Sequence, residues 1–192
     1  EFTVAGGFYE AEEVEHWSME DIVPTVAALV FKDNEVLLVR HKEAAGHLTD
    51  TYGLPSGRTQ EKEDDKHAAV RELKEETGLI IEKDHLVEFP ENLYYASIER
   101  KGGEVVNFSW KVFLAKQFSG ELEESEETKP EWVNIDDIGS LKLLPNVYQA
   151  VQDGLKFLQK WSLKFQLLLQ LPKTEWSARG KQECYGTSQR IC

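Results

Sequence analysis

Cysteine is almost missing from this chain: its two, Cys184 and Cys192, both fall in the last nine residues. A body without cysteine has no disulfide framework, and a cytoplasmic protein is the expectation. Basic residues are scarce too, with 22 Lys and Arg against 35 Asp and Glu and a formal net charge of −13. So acidic a surface repels DNA, RNA and anionic lipid, which excludes nucleic-acid polymers and membrane surfaces as expected partners. No segment approaches the ~18 consecutive apolar residues of a membrane span. The opening Glu1-Phe2-Thr3-Val4 lacks the basic segment and apolar run of a secretory leader. Methionine occurs once, at Met19, just ahead of the first periodic segment. Residues 1–18 therefore read as an extension, in part foreign to the domain, with residues 19–162 as the domain and 163–192 as a tail. The stretch from Leu171 onward is polar and aperiodic.

What remains is ordinary for a soluble globular domain: 41% hydrophobic and 30% charged residues over 192 positions. Thr25 to Lys32 is a β-branched apolar run, then Asp33-Asn34, then Val36 to Val39, which predicts a hairpin with a tight polar turn. Residues 41–51 read as a loop and Tyr52 to Gly57 as turn-rich. Helical periodicity runs from Asp64 to Thr77, with Ala69, Val70 and Leu73 on one side and Gly78 as the stop. Strand-like runs follow at Leu79–Ile81, Leu93–Ile98, Val105–Leu114 and Trp132–Ile135, the middle pair joined through Lys101-Gly102-Gly103. A last helix is expected from about Asn146 to Trp161, with Val147, Ala150, Val151, Leu155 and Leu158 as its apolar stripe. Strands on both sides of a central helix, then a terminal helix, predict an α+β fold, an α/β/α sandwich around a mixed sheet.

The chemistry concentrates in the central helix. Glu72, Glu75 and Glu76 stand at i, i+3 and i+4, so a helix stacks three carboxylates on one face. Three anions that close repel one another unless a cation sits among them, and hard oxygens at that density suit Mg²⁺ or Mn²⁺. Taken alone, such a triplet is more often a solvated face. The frame around it reverses that reading. Gly57 is followed after five residues by Glu63, after seven more by Arg71-Glu72-Leu73, after one by Glu75-Glu76 and after one by Gly78-Leu79. With each fixed residue at a frequency of roughly one in ten, chance alone gives about one in ten million per start position.

This segment matches the Nudix box at every fixed position, and the chain resembles the Nudix (MutT-like) hydrolase family over roughly residues 22–160. The resemblance implies a Nudix-type sandwich with a catalytic loop–helix, and attack of water on a phosphorus of a nucleotide-like diphosphate. It implies Glu72, Glu75 and Glu76 as metal ligands and Arg71, paired with Glu63, as the residue that holds the glutamates in place. The base is a box glutamate or one from a later loop, which here is Glu126 or Glu127. Metal ions would also let so acidic a protein hold an anionic ligand. Two positions depart from the commonest family sequence: Ser56 ahead of the box glycine and Lys62 ahead of Glu63.

Substrate is less legible. Nucleoside triphosphates are expected, with dinucleoside polyphosphates, ADP-ribose and nucleotide sugars as alternatives. Tyr94 lies where dinucleoside polyphosphate hydrolases often carry tyrosine and where ADP-ribose hydrolases commonly carry proline. It is an expected base contact, Phe108, Trp110 and Phe113 are candidate pocket walls, and Arg40 and Arg58 are expected phosphate contacts. A non-catalytic nucleotide-binding module is the reading from another class, and intact box carboxylates weigh against it. The isomerase branch would need a cysteine near the domain. The terminal helix and Leu167-Leu168-Leu169 leave open a homodimer.

Overall fold

The structure is a computed structural model that describes residues 2–4, 7–9 and 22–169, with side chains from 22 to 161. Of the expected extension 1–18 only residues 2–4 and 7–9 fall inside these, and the tail from Leu171, both cysteines and the side chains of Leu167 to Leu169 lie outside. The chain divides into two compact units, residues 1–155 and 156–192.

Two short strands, β1 (Phe2–Val4) and β2 (Gly7–Tyr9), pair antiparallel. The rest of the first unit is built on a mixed eight-stranded sheet. Its centre is β3 (Ile22–Lys32), which turns at Asp33-Asn34 into β4 (Glu35–His41); Asp33 takes φ 53° there, as the expected tight turn requires. Tyr52–Gly53 forms β5 against β4, and Ser56–Arg58 forms β6 against β3. The stretch expected as mere turns is thus stitched into the sheet. Helix α1 (Asp65–Thr77) follows, then β7 (Leu86–Val87), β8 (Leu93–Glu99), β9 (Val105–Ala115) and β10 (Thr128–Asn134). Among the described strand pairs only β3–β9 is parallel.

One expected strand is absent. Leu79 and Ile81 are buried, but Ile80 finds only a two-bond bridge to Ser119, so the run from Leu79 to Ile81 stays a connector. Conversely β10 starts four residues before Trp132. Its first half is polar and includes Pro130, which an edge strand tolerates, and backbone pairing to β4 rather than apolar pattern makes it a strand.

Alternation along β3 sends Val26, Ala28 and Val30 to one face, where they pack with Ala68, Ala69 and Leu73 of α1 and with Phe113 and Ala115 of β9. Leu29 points the other way, toward α2 (Val147–Leu169). At Gly154 a Cβ would lie 2.3 Å from the Leu29 Cδ2, which shows how closely the first turns of α2 approach. Helices on both faces of a mixed sheet make the expected sandwich. Of the second unit, the helix continues through 156–169, with the Phe157 and Trp161 rings 6.2 Å apart.

Candidate active site

The box helix is started and stopped by its own sequence. Asp64 caps it, accepting from the backbone N–H groups of Lys66 at 2.9 Å and His67 at 3.3 Å. Gly78 ends it in the left-handed conformation at φ 78°. Beyond that cap the acidic loop is clamped to the helix end: Glu123 N–H donates to the Thr77 carbonyl at 2.9 Å and the Thr128 hydroxyl to the Glu76 carbonyl at 3.2 Å.

Arg71 organises the carboxylates. Its Nε and Nη2 meet the two oxygens of Glu63 at 3.0 and 2.9 Å, a bidentate pair, and Nη2 also donates to the Arg58 carbonyl at 3.0 Å. Its Nη1 meets Glu72 at 2.6 Å and Glu75 at 3.3 Å. Bonded to Arg71 and to the Gln60 N–H, the Glu63 carboxyl falls to about 2. Glu72 is different: burial raises its pKa, and Arg71 opposes that only in part. Its carboxylate lies over Gly57, where a Cβ would sit 2.1 Å from the Glu72 Cδ. Glu76 accepts from the Ser56 N–H at 2.8 Å, and burial, with the charges of Glu72, Glu127 and Glu75, pushes it up to about 8.

Three carboxyl groups on one helix face, the third of them pushed up by burial, offer the oxygen donors of a hard-cation site once that third group is ionised. The set is not closed, however. Among the described residues no three potential ligands already converge on a common point, because Glu72 and Glu75 face Arg71 and Glu76 faces Ser56.

Gly57 also belongs to a cleft of about 90 Å³ lined by Thr25, Ser56, Arg58, His47, Ile98, Arg100, Phe108, Trp110 and Leu144. Register explains its floor: Thr25 stands between Arg58 on β6 and Trp110 on β9, so the three side chains share a face of the sheet. Of the expected substrate contacts, only Arg58 reaches this cleft. Arg40 is instead bound to Asp50 at 2.6 Å, with Glu131 at 3.6 Å. Tyr94 is 6% exposed and its hydroxyl donates to Asp153 at 3.2 Å, a buried position that leaves no face free to stack a base. Phe108 and Trp110 line the cleft, whereas Phe113 points into the core. Glu126 and Glu127 are both exposed on the loop ahead of β10, and the backbone carbonyl of Glu127 accepts from the Lys42 N–H at 2.8 Å.

His47 and Arg100 were not foreseen as site residues. Nothing local marks them; the fold brings a loop and a hairpin together over the cleft. His41 and His47 stack with ring centroids 4.6 Å apart, and His41 Nε2 and His47 Nδ1 are buried without hydrogen-bond partners. Burial first, then the positive charge of Arg100, holds His41 at about 4; burial, His41 and Arg100 hold His47 at about 3. A depressed histidine is neutral in the fold and charged when unfolded, so its contribution is complete above about 6.5 and is lost as pH falls toward 4. For His41 the loss is on the order of 3 kcal/mol. In metal-free urea titrations, the stability of wild type relative to His41→Leu should therefore decline between pH 7 and pH 4; a constant difference would refute the assignment.

The whole arrangement matches the NUDIX domain family model over residues 21–154. The chain belongs to the NUDIX family. It is 33% identical over 110 residues to the oxidized purine nucleoside triphosphate hydrolase of Danio rerio, covering 57% of this chain and 65% of the relative. It is 32% identical over 108 residues to an ADP-ribose pyrophosphatase of Methanocaldococcus jannaschii, covering 55% and 59%. The crystal structure of the MutT NUDIX hydrolase from Burkholderia pseudomallei superimposes with a TM-score of 0.56 at 25% identity, over 68% of this chain and 96% of that one. The chain spans less than two thirds of the length of the curated relatives it matches first. NUDIX hydrolases generally use divalent metal ions. Among the described residues no helix is long and apolar enough to cross a membrane.

Proposed function

We propose that the chain hydrolyses a diphosphate linkage in a nucleoside triphosphate or another nucleoside diphosphate derivative, with Mg²⁺ or Mn²⁺ held by Glu72, Glu75 and Glu76. The observation that carries this reading is Gly57, which touches the Glu72 carboxylate and also lines the cleft, so the acidic face and the organic pocket meet at one residue. When bound, the metal supplies charge neutralisation at the phosphates and a lowered pKa for the attacking water. The rest is done by side chains. Arg71 and Glu63 fix the helix against the box loop, Arg58 at the cleft mouth meets a phosphate, and the aromatic walls hold the nucleoside. The dinucleotide reading leaned on Tyr94 and loses that support through the Asp153 bond.

Of the two loop carboxylates, Glu127 is the better base. Its charge reaches Glu76 strongly enough to raise it, and Lys42 pins its main chain beside the box. Glu127→Gln should lower kcat by on the order of 10²-fold. Glu126→Gln should change kcat by less than about threefold, as surface substitutions do. The converse pattern would move the base to Glu126. The function itself is tested by incubating the protein with Mg²⁺ and a panel of nucleoside triphosphates, ADP-ribose, nucleotide sugars and dinucleoside polyphosphates, with products separated by chromatography. Metal-dependent release of a phosphate-bearing product supports the proposal. Nucleotide binding without turnover anywhere on the panel sinks it in favour of a binding module.

A further inference from the structure

The cleft is acid-free in a chain with 35 acidic residues: its lining contains two arginines, a histidine and no carboxylate. Arg58 is exposed at the box loop, while Arg100 is half-buried. None of the ion pairs among the described residues includes Arg100. Space is kept for this guanidinium: a Cβ on Gly46 would lie 2.0 Å from Arg100 Nη2. Among the described residues its guanidinium, a donor only, has no protein acceptor, and it is not walled off from the cleft. The nearby His41 and His47 are imidazoles, neutral or cationic but never anionic, so neither is a counter-ion for it.

The alternation of β8 carries Tyr94, Ala96 and Ile98 along one face and delivers Arg100 to the same side, beyond Ile98. Register sets Phe108 opposite Ala96 and Trp110 opposite Tyr94, so aromatic side chains stand on this face of β9. A flat, largely apolar wall with a fork of donors beyond it suits a planar ligand whose edge offers adjacent acceptors. Among nucleobases the edge that matches a guanidinium fork is the O6/N7 edge of guanine, whereas adenine sets an amino donor against it.

We propose that Arg100 makes this cleft selective for guanine-type oxopurine nucleotides over adenine-type ones. The proposal rests on the diphosphate-hydrolase reading for its turnover but not for its binding. A fork donating two hydrogen bonds to one base edge discriminates by roughly 10- to 100-fold. Gly46 acts through Arg100, as a positioning residue, by leaving its guanidinium room.

The test measures kcat/KM for dGTP and dATP, and metal-free binding of GMP and AMP by calorimetry, in wild type, Arg100→Met, Arg100→Lys and Gly46→Ala. Thermal melts confirm that each variant is folded. The expected result is a guanine preference of at least tenfold in wild type, lost in Arg100→Met and partly kept in Arg100→Lys, which retains the charge without the fork. Gly46→Ala should reduce the preference although Arg100 is still present. Turnover with no preference between the bases, or a preference that survives Arg100→Met, overturns the assignment and leaves the hydrolase reading intact. Selective GMP binding without turnover of any nucleotide upholds the assignment and overturns the hydrolase reading.

Discussion

Glu76→Gln should leave the metal-free protein folded and more stable, yet lower metal-dependent hydrolysis by on the order of 10³-fold. The two halves of that result have one cause. Burial and neighbouring carboxylates push Glu76 up to about 8. An acid whose folded pKa is raised contributes stability that is complete below its ordinary value near 4.5 and is lost as pH rises toward 8. At pH 7 the unfolded chain has released this proton and the folded one has kept it, a penalty on the order of 3 kcal/mol. Glutamine removes the penalty and keeps an oxygen to accept the Ser56 N–H that Glu76 accepts at 2.8 Å. What it cannot do is become an anion. A metal bound at Glu76 must displace the proton, so wild-type Mg²⁺ affinity should rise with pH up to about 8 and then level, and the variant should lose that dependence. Urea unfolding in EDTA, calorimetric Mg²⁺ titration at several pH values and steady-state kinetics test the three parts separately. A destabilised variant with unchanged kcat would remove Glu76 from the metal site.

The extent to which the sequence announces this site varies from residue to residue for physical reasons. Glu63, Arg71, Glu72, Glu75 and Glu76 lie within one loop and one helix, so helical spacing alone brings the last four together and a fixed loop length brings Glu63 back to Arg71. The hairpin of β3 and β4 and the cap at Gly78 are equally local and equally legible. Contacts across the sheet are not. Arg40 reads as a free cation at a strand end, but Asp50 and Glu131 come from a loop and from β10 and neutralise it. Tyr94 has a family-like position, but the direction of its side chain depends on β8 alternation and on Asp153, 59 residues away. His47 and Arg100 meet only because the 41–51 loop folds over the β8–β9 hairpin, where Lys101 N–H donates to the Gly46 carbonyl at 3.3 Å. Ser56 to Arg58 contain no strand-forming pattern, and their pairing with β3 is imposed by the neighbour. The expectation of a strand at Leu79–Ile81 failed for the opposite reason: the apolar pattern was there, but Ser119 alone was available to pair with it.

Gly57→Ala should separate catalysis from stability, and a comparison with Gly78→Ala shows why. At Gly57 the backbone is not in the left-handed region, so alanine incurs no conformational strain there. Its Cβ would meet the Glu72 carboxylate, with Cδ at 2.1 Å and the oxygens at 2.2 and 2.3 Å. That group is the far end of a flexible side chain, and it can swing aside at little cost to the fold. The cost falls on function: Glu72 leaves both its place beside Arg71 and the point where the acidic face joins the cleft. At Gly78 the position is reversed. The residue holds φ 78°, and a Cβ would lie 2.8 Å from the backbone carbonyl oxygen of Glu121, which cannot move without the loop that carries Glu123 and Thr128. Gly57→Ala should therefore unfold within about 1 kcal/mol of wild type while losing on the order of 10²-fold in kcat, since displacement of a catalytic group by even ~1 Å has that scale of effect. Gly78→Ala should lose about 1–3 kcal/mol, and its activity should recover in step with folding at low temperature. Chemical unfolding and kcat measured on the same preparations decide the matter. If Gly57→Ala retained full kcat, the Glu72 carboxylate would have no need of the place it occupies over Gly57, and the metal site would have to be built around Glu75 and Glu76 alone.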